Sequence, residues 1–413
     1  MHSRRLFLKH SAVAMLGMGA APGWLSRVLY AKEAPGARKK VLIAIFQRGA
    51  VDGLNVVVPF GEKRYYDLRP TIAVPAPSRR NEDAAIDLDG FFGLHPNLAA
   101  LKPLWDRRML AIVEGAGSPD PTRSHFDAQD YMESGTPGIK STQTGWLNRS
   151  LLHELHPSPL RAVSLTPDLP VTLRGPNGAV AVESIRNFRI SDPSAAKLFE
   201  NLYESAPDSM LNATGRETFE AVKLMQAVGK RPYEPANGAI YPAGKLGQNL
   251  RQIARLIKAD VGLEVAFTDI GGWDTHVHEM GPRASVGRLP NLLRQFGDAL
   301  AAFSQDMGDR MEDVVLVTMS EFGRTAKENG NRGTDHGHAN VMFIFGGAVR
   351  GGKVYGKWPG MQPEQLYQGR DLALTTDFRT VLSELVRNHL GDARMASVFP
   401  NFAGHRMSEP LLA

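Results

Sequence analysis

The sequence predicts an α/β protein: a three-layer α/β/α sandwich on a mostly parallel, doubly wound sheet. Three observations predict it. Short, unbroken apolar runs recur along the chain, helical periodicity fills the segments between them, and acidic and imidazole side chains stand close to the ends of the runs. Strands buried on both faces of a parallel sheet have this unbroken apolar character, and alternation of strands with helices is typical of doubly wound folds.

The apolar runs are the predicted strands. The first, VLIAIF, shows no alternation of apolar and polar residues, so both of its faces are expected to be covered. The runs lie at residues 41–46, 109–113, 263–267, 314–318 and 341–345, with a weaker one at 161–165.

Helices are predicted between the strands from apolar residues that recur every three or four positions. Such spacing places them on one face of a helix. The predicted helices cover residues 246–257, 292–303 and 377–386, the last with Asp377 as its N-cap. Ligands of doubly wound folds bind beyond the carboxyl ends of the strands, so the loops after the strands at 41–46, 263–267 and 314–318 are expected at one edge of the sheet. The loop before the strand at 341–345 joins them if that strand is antiparallel or if the loop folds over.

Residues 32–413 are expected to form a single domain. The stretch at about 167–243 is rich in Pro, Gly and Asn and carries helical patterns at 195–203 and 215–228. We interpret it as an insertion that covers an edge of the sheet.

The first 31 residues have the character of an export leader. Arg4 and Arg5 precede Phe-Leu-Lys, and an apolar stretch at about 12–25 is too short and too rich in Gly and Pro for a stable membrane span. The paired arginines resemble a twin-arginine signal, which implies that the twin-arginine machinery exports a folded protein to the periplasm. Cleavage is expected after Ala31.

The charge and the cysteine content exclude several classes of function. The leader holds four cationic residues and no acid, so its removal takes the formal charge from +5 to +1. No basic stripe remains, and a nucleic-acid partner is not expected. The chain has no cysteine, which excludes thiolate-bound zinc and iron–sulfur clusters. Any bound metal must use imidazole and carboxylate groups.

Acidic and imidazole side chains concentrate in three short segments. These are Asp274-Thr-His276-Val-His278, Ser320-Glu321-Phe-Gly-Arg324 and Asp335-His336-Gly-His338. Neutral imidazole and carboxylate suit zinc, manganese and iron, so the pattern predicts a hydrolytic metal centre. The alternative for each segment is an ordinary polar surface loop.

The residue pattern leaves the ligand set open. Asp274 and His278 sit in a loop that can bring both side chains to one ion, with His276 competing for the role. Either His336 or His338 can be a ligand, oriented by a neighbouring carboxylate or amide.

Three further positions carry alternatives of the same kind. Asp52 lies in a glycine-bracketed turn after the first strand, where the backbone can approach a ligand closely, but a turn-forming Asp-Gly is the simpler interpretation. Ser124 is either a helix N-cap or a nucleophile that works with Arg123 near the metal. Arg324 is either a clamp for an anion or the ion-pair partner of an acid.

Five ordered motifs together resemble the bacterial domain of unknown function 1501 family, across essentially the whole mature chain. They are SRRLFLK, QRGAVDGLN, RSHFDAQD, GGWDTH and SEFGRT. That family is more distantly similar to the alkaline phosphatase and sulfatase superfamily. The resemblance implies an alkaline phosphatase-like α/β/α sandwich with a two-metal site.

The superfamily pattern can be carried over position by position. It implies that Asp52, Asp274, His278 and His336 bind metal. Glu321-Phe-Gly replaces the Asp-His-Gly of the superfamily, so Glu321 is also expected among the metal ligands and one imidazole ligand is missing. Either His276 or His338 replaces that imidazole, or only one metal binds.

These expectations predict a periplasmic hydrolase of phosphate or sulfate esters. It would use a divalent metal (zinc, manganese or calcium) and act on a small anionic ester or a glycan, with Ser124, Arg123 and Arg324 as catalytic groups. The alternatives are a degenerate superfamily member that binds an anion, glycan or protein partner without catalysis, and a purely structural exported protein.

Overall fold

The structure is a computed structural model that describes residues 38–154, 157–185 and 209–413, with side chains from 218 onward in the last range. The predicted leader at 1–31 and the predicted helix at 195–203 lie outside the described residues.

Twelve strands are present in the described residues. They are β1 (Val41–Arg48), β2 (Val57–Val58), β3 (Ile86–Asp87), β4 (Gly93–Leu94), β5 (Leu110–Gly117), β6 (Ala162–Ser164), β7 (Val180–Ala181), β8 (Val265–Gly271), β9 (Val314–Met319), β10 (Asn340–Gly346), β11 (Lys353–Tyr355) and β12 (Thr376–Asp377).

The α-helices of the same residues number ten. They are α1 (Gly53–Val56), α2 (Lys63–Leu68), α3 (Lys102–Asp106), α4 (His125–Ser134), α5 (Trp146–Arg149), α6 (Ser209–Lys230), α7 (Lys245–Lys258), α8 (Arg288–Met307), α9 (Phe378–Asn388) and α10 (Met395–Val398). Three short 3₁₀ helices cover Pro96–Leu101, Val171–Leu173 and Gly308–Asp313.

Nine of the described strands form one sheet in the order β11-β5-β10-β9-β1-β8-β6-β7, with β12 also paired to β5. The central strands β9, β1, β8 and β6 run parallel to one another. Strand β10 is antiparallel to both of its neighbours, β9 and β5. The mostly parallel sheet predicted from the apolar runs is therefore confirmed.

Strand β1 shows why the sheet is covered on both faces. Alternate side chains of a strand point to opposite faces. Ile43 and Ile45 enter one hydrophobic core, which includes residues of α7 and α8. Leu42, Ala44 and Phe46 enter a second core, which includes residues of α5 and α9. Two cores separated by one sheet confirm the three-layer α/β/α architecture.

The predicted helices after residue 243 are present and longer than the apolar pattern alone indicated. The periodic residues at 246–257, 292–303 and 377–386 lie in α7, α8 and α9. Asp377 caps α9 as expected, because its side chain accepts a hydrogen bond from the Arg379 amide at 2.9 Å.

The segment at 167–243 contributes to the sheet as well as to its covering. Strand β7 extends the sheet by pairing with β6, and α6 contains the predicted helix at 215–228. That this segment is an insertion in a single domain stays a prediction. Among the described residues, no helix has the length and apolar character needed to cross a bilayer.

One edge of the sheet collects the loops that carry the polar segments. The carboxyl ends of β1, β8, β9 and β5 lie there, because β5 and β9 are both antiparallel to β10. The amino end of β10 lies at the same edge for that reason. The loop before β10 therefore meets the loops after β8 and β9.

Candidate metal centre

Four side chains from three segments meet at this edge of the sheet. His125 is the first residue of α4, which follows β5. Asp274 and His276 lie in the loop after β8, and His336 lies in the loop before β10. We call these four residues the His-Asp cluster.

The imidazoles of the His-Asp cluster face one another through Nε2. Nε2 of His336 lies 3.0 Å from Nε2 of His125 and 3.0 Å from Nε2 of His276. Oδ1 of Asp274 lies 3.1 Å from Nε2 of His276, 3.5 Å from that of His336 and 3.7 Å from that of His125. Four donor atoms therefore surround one point.

These separations match the coordination sphere of a small metal ion. Ligand bonds of about 2.0–2.1 Å in tetrahedral geometry place the donor atoms about 3.3 Å apart. The five separations in the His-Asp cluster range from 3.0 to 3.7 Å. The ligand atoms of His125, Asp274 and His336 all lie within 4.8 Å of one another, close enough to hold one ion.

Each imidazole is also held at its second ring nitrogen by an acceptor. This arrangement is typical of metal-binding histidines, because it fixes the orientation of the ring and leaves the Nε2 lone pair for the ion. The contacts at Nδ1, each 2.9 Å long, are His125 to Oε1 of Glu321, His276 to Oδ1 of Asp335, and His336 to the carbonyl oxygen of Arg123.

The contact of His336 with a carbonyl fixes its tautomer. A carbonyl oxygen only accepts, so Nδ1 of His336 carries the proton and Nε2 of the neutral ring carries a lone pair. Burial, together with the nearby charges of His125 and Arg324, lowers the pKa of His336 and favours that neutral form. The Nε2 atoms of His125 and His276 each lie 3.0 Å from Nε2 of His336, so a proton or a cation must lie between His336 and each of these two nitrogens.

The His-Asp cluster is accessible from solvent. The side chains of His125 and His336 are 23% and 24% exposed, and those of His276 and Asp274 are 39% and 44% exposed. An ion bound here can therefore be reached by a small solute.

Glu321 is buried behind His125 rather than in the His-Asp cluster. Besides His125, its Oε1 accepts hydrogen bonds from the Gly49 amide at 2.8 Å and from Nε2 of Gln129 at 2.9 Å. Although burial acts to raise it, these hydrogen bonds hold the pKa of Glu321 below its usual value. Glu321 was predicted to bind metal directly, but here its carboxylate orients a histidine.

Phe322 lies at the position where the resemblance led us to expect an imidazole ligand. Its ring packs 5.0 Å from the ring of His125 and 5.0 Å from the ring of His336. The phenyl group thus supports two imidazoles of the His-Asp cluster from one side.

Asp52 lies outside the His-Asp cluster. Its side chain is 1% exposed and forms an ion pair with Arg69, which is 0% exposed and donates to both carboxylate oxygens. The predicted metal aspartate of the first strand therefore binds a guanidinium group.

The remaining histidines predicted as ligands are also outside the His-Asp cluster. His278 is exposed and has a positive φ of 50°. His338 is buried and stacks on Tyr367 with ring centroids 4.3 Å apart. His276, the competing residue of the β8 loop, is the one that reaches the cluster.

The three predicted catalytic side chains are all engaged. Ser124 caps α4, accepting from the Asp127 amide at 3.5 Å. The Arg123 guanidinium contacts Asp371 at 2.5 Å. Arg324 donates to Oδ1 of Asp274 at 2.6 Å. Because Arg324 also donates to four backbone oxygens, those of Gly49, Ala50, Trp273 and Thr334, it acts as a fixed support of the loop.

His125 is the member of the His-Asp cluster that the sequence analysis missed as a ligand. It lies in the motif RSHFDAQD, in which Ser124 and Arg123 were predicted as catalytic groups. The available signal was its place at a helix start after a buried strand, the same edge of the sheet to which the other loops were assigned.

Several solved structures align with most of this chain at low sequence identity and low TM-score. The C-terminal periplasmic domain of EcEptC from Escherichia coli, in complex with zinc, aligns with 75% of this chain and 74% of its own at 8% identity and a TM-score of 0.33. The alignment with the PsFucS1 sulfatase from Pseudoalteromonas sp. covers 79% of this chain and 66% of the sulfatase, at 12% identity and a TM-score of 0.35. The alignment with alkaline phosphatase from Thermus thermophilus covers 74% of this chain and 64% of the phosphatase, at 13% identity and a TM-score of 0.28.

No functionally curated protein matches the sequence. Residues 111–393 match the family model described as protein of unknown function, DUF1501. This match spans more than half of the chain and includes all four residues of the His-Asp cluster. The chain therefore belongs to the DUF1501 family.

Proposed function

We propose that the protein is an exported, metal-dependent hydrolase of phosphate or sulfate esters. The observation that carries the proposal is the meeting of three imidazole Nε2 atoms and one carboxylate oxygen at a solvent-accessible point. Export rests on the twin-arginine-like leader of the sequence, and the single domain at 32–413 is the body of the enzyme.

The donor set favours zinc or manganese over calcium. Calcium binds six to eight oxygen ligands, whereas the His-Asp cluster offers three nitrogens and one oxygen. When bound, such an ion polarises an ester oxygen and lowers the pKa of water. His125, His276, His336 and Asp274 would hold it.

The residues around the His-Asp cluster prepare it for that role. Glu321 and Asp335 hold two rings through Nδ1, so neither ring has to rotate when an ion binds. The buried Arg324 keeps Asp274 ionised. Partial burial of Asp274 acts to raise its pKa, but the hydrogen bond and the positive charge of Arg324 outweigh this effect and lower the pKa. Ser124, one residue from His125, remains the proposed nucleophile, with Arg123 beside it.

Elemental analysis and an ester panel test the proposal. Mature protein purified without chelator should contain about one zinc or manganese ion per chain and cleave aryl phosphate or aryl sulfate. His336→Ala should lose both properties. His278→Ala is the matched control, since that histidine is exposed and outside the His-Asp cluster. Full metal occupancy in His336→Ala would refute the ligand assignment.

A second candidate function is favoured by the same geometry. Four protein ligands complete a tetrahedral sphere, and closed spheres are typical of structural metal sites. The protein would then bind an anion, a glycan or a protein partner without catalysis. Metal at full occupancy with no turnover of any ester in the panel supports this second function over the first.

A further inference from the structure

A buried polar cluster lies next to the loops that carry the His-Asp cluster and has no part in the proposed chemistry. Asp52, Asn55, Tyr65, Arg69 and Glu279 form it, and each is between 0 and 1% exposed. We call it the Arg69 cluster. Such complete burial of two carboxylates and a guanidinium is costly, so the contacts they make are informative.

Arg69 joins two of the loops at the sheet edge. It donates to both carboxylate oxygens of Asp52 and to Oδ1 of Asn55 at 2.8 Å, both in the segment after β1. It also donates to the carbonyls of Thr325 and Ala326 at 2.9 and 3.0 Å, in the segment after β9. One guanidinium therefore fixes these two segments to each other.

Glu279 joins the two loops that carry most of the His-Asp cluster. Its Oε2 accepts from the hydroxyl of Thr275 at 3.0 Å and from that of Thr334 at 2.8 Å. Thr275 stands between Asp274 and His276, and Thr334 stands two residues before His336. A single carboxylate oxygen thus connects the loop after β8 with the loop before β10.

The Arg69 cluster connects these two pairs of loops. Nδ2 of Asn55 donates to Oε1 of Glu279 at 3.4 Å, and the Glu279 carboxyl contacts that of Asp52. Burial and the adjacent Asp52 carboxylate raise the pKa of Glu279 well above its usual value. The raised pKa favours the protonated form of Glu279, next to the Asp52 carboxylate that Arg69 binds.

We propose that Glu279 is a positioning residue of the metal centre, which sets the distance between the loop bearing Asp274 and His276 and the loop bearing His336. The inference rests on the proposed metal site, but it does not depend on ester hydrolysis. Removal of the carboxyl leaves two buried hydroxyls unpaired and removes the side-chain connection between the loops. Backbone hydrogen bonds such as that from the Thr334 amide to the Thr275 carbonyl still hold the two loops together, so the Nε2 atoms lose the precision of their separation.

The test is a zinc competition titration on the mature chain, with thermal unfolding recorded alongside. Glu279→Ala should bind zinc about 10-fold more weakly than the wild type. Removing a group bonded directly to a metal ligand costs about 10–100-fold, and Glu279 acts one contact further out, so the lower end of that range is expected. Glu279→Gln should restore affinity to within a few-fold. Its amide oxygen can accept from both threonine hydroxyls, and its amide nitrogen can donate to the Asp52 carboxylate.

Asp306→Ala is the matched control for buried carboxylate loss. Asp306 is 1% exposed and accepts hydrogen bonds from Tyr233, Tyr241 and the Ala236 amide, none of which lies in a metal-bearing loop. Both alanine variants should lower the melting temperature, and only Glu279→Ala should weaken zinc binding. Unchanged zinc affinity in a folded Glu279→Ala variant overturns the proposal.

A second pair of variants keeps the test decisive if Glu279→Ala does not fold. Thr275→Val and Thr334→Val each remove one hydroxyl donor while preserving shape, and together they should weaken zinc binding several-fold. No change in the double variant overturns the proposal. A wild type without zinc affinity overturns the metal site as well, whereas normal zinc affinity without ester turnover overturns only the proposed function.

Discussion

Nδ1 of His125 lies 2.9 Å from Oε1 of Glu321, and Nε2 of the same ring lies 3.0 Å from Nε2 of His336. Glu321 therefore determines which nitrogen of the ring is offered to an ion. The glutamate predicted as a ligand acts through a histidine that the sequence did not identify as one.

His125→Ala should remove zinc binding, because it deletes one of four donor atoms and leaves Glu321 without its imidazole partner. His278→Ala should retain zinc, since that side chain is exposed and outside the His-Asp cluster. Metal content of the two purified variants decides the point. Equal zinc in both would contradict the assignment of His125.

Glu321→Gln should weaken zinc binding by about 10–100-fold, because a neutral amide orients and polarises the His125 ring less well than a carboxylate. Competition with a chromophoric chelator measures this change. Glu328→Gln is the control: its carboxylate also accepts backbone amides, those of Thr71 and Ile72, but it does not contact the His-Asp cluster. Indistinguishable affinities for the two variants would count against the role of Glu321.

Arg69→Met should lower the free energy of unfolding by about 3–5 kcal/mol, because Asp52 then remains as an uncompensated buried charge. Adding Asp52→Asn removes that charge and should recover part of the loss. Urea unfolding of the single and double variants measures both effects. A double variant no more stable than the single one would show that the charge of Asp52 is not the cause.

Glu114→Gln should make stability less dependent on pH. Burial raises the pKa of Glu114 from 4.5 to about 8, and its Oε1 has no hydrogen-bond partner among the described residues. Between these two values the unfolded chain has lost the proton that the folded chain keeps. Stability therefore falls as pH rises through this window, by up to about 1.4 kcal/mol per pH unit.

Urea unfolding at pH 5 and pH 8 tests this expectation for Glu114. The wild type should lose stability between the two values relative to Glu114→Gln, and the difference should be small at pH 5. Parallel pH profiles of the two proteins would mean that Glu114 is ionised when folded.

Arg4→Lys combined with Arg5→Lys should block export, because the paired arginines are the residues that resemble the twin-arginine signal. Cell fractionation and immunoblotting measure the periplasmic share. Lys9→Arg, which preserves charge outside the pair, is the control. Normal export of the double variant would indicate a different route.

The sequence predicted the sheet because an unbroken apolar run has few alternatives. VLIAIF can bury both of its faces only within a covered sheet, and β1 does so between two cores. The same logic placed Asp52, Asp274 and Glu321 at one edge, since the carboxyl ends of parallel strands share an edge, and His336 joins them because β10 runs antiparallel to β9. Asp377 was predicted as an N-cap because a short acidic side chain before an apolar helix needs only local geometry.

The sequence alone determined the α/β class, the shared edge of the polar loops and the chemistry available to them, because strand and helix periodicity and residue type are local properties. The tertiary structure decided which imidazoles meet. His276 and His278 are two residues apart, and only the folded loop directs His276 inward while His278 stays exposed. Asp52 faces Arg69, 17 positions later, and becomes an ion pair. Such pairings depend on distances between segments that the fold alone brings together, so no pattern within one segment reveals them.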